Sequence, residues 1–410
     1  MRAVSKMQKS LRERREQMLS MREAMSGILS VAVLLFWSAI EADGQQKSVE
    51  PSKAMITALP ASGPHPSLGD EARIFDRFVG TWDAAYAEYG NDGSVNRSAG
   101  EVRFGWILDG HALQDVWITY PDGARTEREI GTSVRYYDTK LKKWSVVFVD
   151  PAARNLAILT GGAVGDRIVL SNRTADGTMF RWSFNDIRPD SFVWRGERSN
   201  DDGKSWRLYA EYHMKRRSSG ATGVSPVEKV AAHDPRRDMI TALPAFAPHP
   251  SLGDQSQVFG RFVDTWDANY TNYTENGGVT HYSGEVILGW IIDGHATQDI
   301  FSAYPTKTGA ERSLGTTLRY YDTKNKQWCI VFIAPIFNSV TVMRGGVVGD
   351  RIVLLGKDDE GNSLRWSFND IEPDSFTWRG EISRDSGKTW FLQEEHHMKR
   401  RSTSSALANN

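Results

Sequence analysis

A polar ladder runs along the last three predicted strands of each half of the chain, where charged side chains alternate with aromatic ones. Such alternation places every second residue on one face of a sheet. Directed into a barrel, these groups would orient a polar or anionic ligand head. If they point to solvent, they would form weak cross-strand ion pairs. Charged side chains are rarely buried, so we favour the solvent-facing orientation. As the candidate ligand-binding residues we nominate Arg181, Asn185, Arg195, Glu197, Glu211 and His213, with Arg365, Asn369, Arg379, Glu381, Glu395 and His397 in the second half.

A histidine follows an aspartate-glycine turn in both halves. His111 follows Asp109-Gly110 and has Asp115 nearby, and His295 occupies the equivalent position. A histidine–aspartate pair can act as a general base. Neither half adds a nucleophilic serine motif or a third ligand at metal spacing, so we interpret these histidines as rim residues of a hairpin.

Catalysis and cofactors have little support in the sequence. The chain contains no complete catalytic or metal-binding motif, so we predict no catalytic residue, no metal and no cofactor. Haem ligation by His213 or His397 is a minor alternative without any further haem signature. A hydrolase or isomerase that uses the polar ladder is the alternative to a non-catalytic protein.

An aspartate-centred turn motif, Ser-x-Asp-x-Gly-x-Ser/Thr-Trp, occurs once in each half. Sialidases contain this pattern several times at the spacing of propeller blades, whereas here each half has one copy. The aspartate can accept backbone N–H groups, the glycine permits positive φ, and the tryptophan packs beneath the turn. We therefore interpret the motif as a structural hairpin, formed by Asp201, Gly203 and Trp206 and by Asp385, Gly387 and Trp390.

The chain contains a long internal repeat. Met55–Pro60 returns as Met239–Pro244, and the same offset relates Trp82 to Trp266. A period of this length indicates duplication of a whole domain. We predict two domains, 55–217 and 239–402, preceded by a leader at 1–54, joined by a linker at 218–238 and followed by a tail at 403–410.

Short strands dominate each repeat. Alternating apolar and polar residues are interrupted by turn residues about every 8–12 positions, which indicates roughly eight to ten strands. A short helix precedes them, capped by Asp70, with Ile74, Phe75 and Phe78 on one face. This order predicts an all-β protein of two tandem antiparallel β-barrels, each with a short N-terminal helix.

The start of each barrel resembles a known superfamily. Phe78–Trp82 looks like the Gly-x-Trp opening of the lipocalin and calycin superfamily, although Asp264 replaces the glycine in the second repeat. The resemblance implies that the tryptophan plugs the barrel floor and that Lys215 or Arg216 packs on it by a cation–π contact. The order of motifs is also similar to a bacterial secreted family of unknown function with calycin-like barrels.

Composition narrows the classes of partner. Lysine plus arginine total 50 and aspartate plus glutamate total 51, so no general positive field attracts nucleic acid. The single cysteine, Cys329, excludes a disulfide within the chain and a cysteine-based zinc site. We predict a small, partly apolar ligand in an aromatic barrel, with a structural or adaptor tandem as the alternative; the oligomeric state stays open.

The N-terminal leader has the pattern of a signal peptide. Arginines precede the apolar run Ile28–Trp37, and small residues follow it up to Ala42. The run is shorter than the roughly 20 residues that span a bilayer. We predict cleavage near Ala42 and a secreted or periplasmic protein without stable membrane insertion, with anchoring by an uncleaved leader as the alternative.

Overall fold

Each half of the chain folds into a closed antiparallel barrel of ten strands. The structure is a computed structural model, and it describes residues 49–123, 126–218, 234, 237–307 and 310–402. The prediction of an all-β tandem of barrels is confirmed. Residues 1–48 of the leader, which include the cleavage site near Ala42, lie outside the described residues, as do the tail and most of the linker.

The first barrel is a meander in which consecutive strands pair and β1 closes on β10. Its strands β1–β10 are Gly80–Tyr89, Val95–Ile107, Ala112–Thr119, Glu129–Asp138, Lys143–Asp150, Asn155–Val164, Arg167–Arg173, Met179–Asn185, Ser191–Ser199 and Arg207–Arg216.

The second barrel repeats this order, and β12 closes on β21. A two-residue strand, β11 (Pro244–Ala245), adds to the edge of β13. The barrel strands β12–β21 are Asp264–Tyr273, Val279–Ile291, Ala296–Ala303, Ser313–Asp322, Gln327–Ala334, Ser339–Val348, Arg351–Lys357, Ser363–Glu372, Ser375–Ser383 and Phe391–Arg400.

Short helices precede each barrel. They are α1 (Val49–Ala58), α2 (Arg73–Asp76), α3 (Asp238–Ala242) and α4 (Ser256–Gly260). No helix in the described part of the chain is long and apolar enough to cross a membrane. The expected cap at Asp70 is wrong: a 3₁₀ turn, Pro66–Ala72, begins four residues earlier, and the ring of His65 accepts the Ser67 N–H as its cap.

An opening tryptophan fills one end of each barrel. Trp82 is fully buried and donates from Nε1 to the carbonyl of Phe78 at 2.7 Å. The Arg216 guanidinium lies 4.1 Å from the Trp82 ring centre, whereas Lys215 is exposed. Arg400 stands 4.3 Å over Trp266 in the same way and also bonds to Asp264 at 2.6 Å. The basic residue that packs on the tryptophan is therefore the arginine in both barrels. In the second barrel this arginine also forms an ion pair with Asp264.

A third apolar core lies between the barrels, in addition to one core inside each. It joins the outer faces of β3–β5 to those of β14–β16, with α1 and α3 against them. Leu113 points into the first lumen while its neighbours Ala112 and Val116 face the second barrel. These strands are thus buried on both faces, and the two repeats share one of their three cores.

Candidate ligand-binding site

The second barrel contains an open cavity of about 790 Å³. Its wall is mainly aromatic and aliphatic, with a few charged and polar groups. Cavities of roughly 300–1,000 Å³ with this kind of lining suit small molecules. The lining includes Asp299, Arg319, Phe332, Trp366, Trp378, Gln393, Glu394 and His396.

Strand alternation sets which side chains reach this lumen. Trp366 and Phe368 on β19 face inward, and Trp378 on β20 lies beside Trp366 with ring centres 5.6 Å apart. On β21 a register shift brings both Gln393 and Glu394 to the cavity wall. The bulge therefore adds polar groups to a lumen whose wall is mainly apolar.

A buried ion pair forms part of the cavity wall. Arg319 pairs with Asp299, and the Asp299 carboxylate also accepts the Thr317 N–H at 2.8 Å. The first barrel has the same pair, Arg135 with Asp115. Burial raises the pKa of Asp115, against the opposing pull of Arg135. Since both barrels have this pair, it does not distinguish their lumens.

His396 and Glu394 are ionisable side chains that distinguish the second lumen from the first, where tyrosine and alanine occupy their positions. His396 is held by several contacts. Its ring stacks on Trp378 with centres 4.4 Å apart and meets Tyr270 edge-on at 4.6 Å. Its Nε2 lies 3.2 Å from a carboxylate oxygen of Glu394. An imidazole held between aromatic rings and paired with a carboxylate can donate to or accept from a polar group of a ligand.

The first lumen holds larger aromatic groups at the equivalent positions. Tyr212 replaces His396 and stacks on Trp194 at 4.6 Å. Tyr209 stands where the second barrel has Gln393, and its hydroxyl accepts a 2.6 Å hydrogen bond from Trp182 Nε1. Burial raises the pKa of Tyr209 to about 12, so it stays neutral. The two lumens therefore have the same strand architecture but differ in the side chains that occupy them.

The polar ladder of the first repeat lies on the outer wall of its barrel. Arg181 pairs with Glu197 at 2.8 Å and Arg195 with Glu211 at 2.7 Å, across adjacent strands. Asn185 is buried on this wall, where it donates to Ser183 Oγ at 2.9 Å and to the Val193 carbonyl. The second repeat repeats the pattern with Arg365, Glu381, Arg379, Glu395 and Asn369.

These ladder residues alternate with the residues that line the lumen. His213 is exposed and bonds to Glu211 at 3.0 Å, and His397 stands in the same relation to Glu395. Neither histidine lies on the lumen side, so neither can ligate haem inside its barrel. A ligand role for the ladder stays a prediction for the outer wall, because the cavity is lined by the opposite face.

The aspartate-centred motif is a self-contained hairpin. The Asp201 carboxylate accepts from Ser205 Oγ at 2.6 Å and from the Ser205 N–H at 2.9 Å, which lowers its pKa to about 2. Gly203 has φ 81°, and Trp206 donates to its carbonyl at 3.0 Å. Arg181 of the ladder lies 4.0 Å over Trp206. Asp385, Gly387 and Trp390 repeat these contacts beneath Arg365.

His111 and Asp115 do not form the histidine–aspartate pair that a general base would need. Asp115 points into the first lumen toward Arg135, whereas His111 lies at the turn before β3 and stacks on His65 at 4.0 Å. The turn itself contains three consecutive residues with positive φ, Leu108, Asp109 and Gly110. This backbone directs His111 toward the contact between the barrels.

Sequence reasoning missed His396, Glu394 and Gln393 as lumen residues. The signal available was a difference between the repeats: tyrosine, alanine and tyrosine occupy these positions in the first copy. Residues that are identical in the two repeats belong to the shared barrel architecture. Lumen-facing residues that differ between the repeats show where the two lumens are chemically different.

Known proteins resemble this chain only weakly. No protein-family model matches the sequence, and no curated protein matches it. The S-type phycobiliprotein lyase CPES from Guillardia theta is 10% identical over 36% of this chain and 93% of its own, with a TM-score of 0.28. Rv2717c from M. tuberculosis is 15% identical over 38% and 99%, with a TM-score of 0.29. A DUF3598 protein of unknown function from Nostoc punctiforme is 8% identical over 81% and 99%, with a TM-score of 0.19. These values assign no family, ligand or reaction to this chain.

Proposed function

We propose that the second barrel binds a small amphipathic molecule in its lumen. The observation that carries this proposal is the aromatic cavity of about 790 Å³. An apolar ligand body would pack against Trp366, Trp378 and Phe332, since burial of apolar surface stabilises a complex by about 25 cal/mol per Å² before the costs of binding. A polar group of the ligand would meet His396 and Glu394.

The first barrel has a supporting role in this proposal. Tyr209 and Tyr212 occupy part of the first lumen. The smaller or more polar side chains at the equivalent positions, Gln393 and His396, leave that space open in the second barrel. Its outer face contributes half of the core between the barrels. In this proposal the second barrel binds the ligand, and the first barrel stabilises the second through the core between them.

A fluorescent dye tests the lumen directly. Anilinonaphthalene sulfonate brightens in apolar cavities, and we expect the full chain to bind it. Gln393→Tyr introduces the residue of the first barrel at the equivalent position and should weaken dye binding at least about fivefold, a loss of about 1 kcal/mol. Tyr209→Gln in the first barrel is the matched control and should leave the binding in the second barrel intact.

Two outcomes would contradict the proposal. One is a dye affinity unchanged by both Gln393→Tyr and Leu364→Trp, because both variants add bulk to the lumen wall. The other is loss of dye binding through Lys399→Gln, an exposed change on the outer wall. Native mass spectrometry of the purified chain then identifies the ligand that accompanies it.

A further inference from the structure

We propose that His65, His111 and Glu311 form a binding site for a divalent transition-metal ion such as zinc at the contact between the two barrels. One ligand atom of each residue lies within 4.8 Å of the others. Two imidazoles and one carboxylate are a donor set that proteins use for zinc. Three protein ligands leave a fourth tetrahedral position for water.

The three residues come from distant parts of the chain. His65 caps the 3₁₀ turn before the first barrel and His111 follows the turn after β2, whereas Glu311 precedes β15 of the second barrel. His65 Nε2 lies 3.2 Å from Glu311 Oε1. The Glu311 side chain is 69% exposed and that of His65 19%, so an ion reaches the site from solvent.

Metal binding at His65 Nε2 requires a change of ring tautomer. Its Nδ1 accepts from the Ser67 N–H at 3.2 Å, which leaves the ring proton on Nε2, facing Glu311. A metal on Nε2 requires the other neutral tautomer, in which this single proton moves from Nε2 to Nδ1. Nδ1 then no longer accepts the Ser67 N–H and instead donates to Ser67 Oγ, which lies 2.8 Å away and would orient the ring.

His111 needs one adjustment to share the ion. The two imidazoles stack with centres 4.0 Å apart and planes 23° apart, so their nitrogen lone pairs do not converge. Among the described residues, no hydrogen bond holds either ring nitrogen of His111, and the ring can turn about its Cβ–Cγ bond.

The second repeat supplies a matched comparison. His249 and His295 stack in the same way, with centres 3.8 Å apart, and His249 Nδ1 lies 2.8 Å from Ser251 Oγ. Glu127 is the counterpart of Glu311 and influences the pKa of His295. Within the described residues, the three-ligand distance is nevertheless met at the His65 cluster and not at this one.

Isothermal titration of the untagged full chain with zinc chloride tests the site, with the visible absorption of bound cobalt as a second reading of tetrahedral coordination. We expect one ion per chain. His65→Ala and Glu311→Gln should each weaken binding by about tenfold or more. The counterparts His249→Ala and Glu127→Gln should keep the wild-type affinity. Circular dichroism melts establish that each variant is folded.

Three results would overturn the metal site. The first is a wild-type chain that binds neither zinc nor cobalt. The second is a folded His65→Ala variant with wild-type affinity. The third is equal loss of affinity in the His65 and His249 variants. Any of these results would leave the His65–Glu311 hydrogen bond and the stacking of His111 on His65 as a contact between the repeats without a metal.

Discussion

Gln114 and Gln298 donate hydrogen bonds to each other across the contact between the barrels, with N–O distances of 3.0 and 3.1 Å. The two residues are 184 positions apart, which is the offset of the repeat, and both are fully buried. Each also donates to a threonine of its own barrel, Thr132 or Thr316, at 3.0 Å. The contact is therefore isologous, with the same surface used by both partners.

Breaking this pair on one side should destabilise the protein more than removing it altogether. Gln114→Leu leaves the Gln298 amide buried without its partner, at an expected cost of about 1–3 kcal/mol in the free energy of unfolding. Gln114→Leu combined with Gln298→Leu should recover most of that loss, because both unpaired amides are gone. Urea titration measures the difference. Losses that simply add in the double variant would contradict the prediction.

A single repeat should form a homodimer. Residues 49–217 or 237–402 alone expose the outer apolar face that the other barrel covers in the full chain. Two copies of one repeat can reproduce an isologous contact, so we expect a dimer in light scattering after gel filtration. Val134→Arg, in the centre of that face, should give monomers. A folded wild-type repeat that stays monomeric at high concentration would show that the contact is too weak to form unaided.

Trp82→Ala should strongly destabilise the first barrel. The indole is fully buried among Phe78 and Phe192, and Arg216 stacks on it. Truncation of such a residue typically costs about 3–5 kcal/mol. Trp266→Ala should act alike on the second barrel. His213→Ala is the control and should cost less than about 0.5 kcal/mol, because its side chain is exposed. A near-neutral Trp82→Ala in denaturant melts would rule out its role as the barrel plug.

Stability should fall below about pH 6.5, partly through His295. Burial, and then the neighbouring His249, lower the pKa of His295, whereas Asp293 and Glu127 oppose that shift. The unfolded chain therefore takes up this proton at higher pH than the folded one. The stability linked to the neutral ring is present above the unfolded pKa and is lost as the pH falls through the folded pKa.

His295→Gln removes this linkage. The decrease in unfolding free energy between about pH 7.5 and 5.5 should be smaller in the variant than in the wild type. His213→Gln, on the outer wall, is the control. An identical pH dependence of His295→Gln and wild type would show that the ring titrates alike in both states.

The mature protein should begin near Asp43. The basic stretch, the apolar run Ile28–Trp37 and the small residues up to Ala42 favour cleavage there. Intact-mass measurement of material from the native host decides the point. Recovery of the full-length chain in the membrane fraction would support an uncleaved anchor.

Much of the barrel frame is predictable because strand alternation reports local structure. The pattern predicts roughly eight to ten strands in each repeat, where the structure has ten, and Trp82 as the buried plug beside a basic partner. The choice of Arg216 over Lys215 follows from closure of β1 on β10, which a linear pattern does not specify.

The lumen and the contact between barrels are less predictable, since both depend on which face of a strand is covered. Alternation predicts that Glu211 and Tyr212 face opposite ways, and the structure shows that the tyrosine faces the lumen. In β3 nearly every residue is buried, because the second barrel covers the outer face, and no periodic signal separates the two sides. The His65–Glu311 contact joins residues that are 246 positions apart, beyond the reach of any spacing rule.

Placing both isologous partners in one chain changes how they can evolve. In a homodimer every substitution appears twice, so a lumen residue cannot vary in one barrel alone. Here one chain contains both partners, so they remain together at any dilution. Each half can therefore keep its part of the shared face while its lumen varies separately, as the difference between Tyr212 and His396 illustrates.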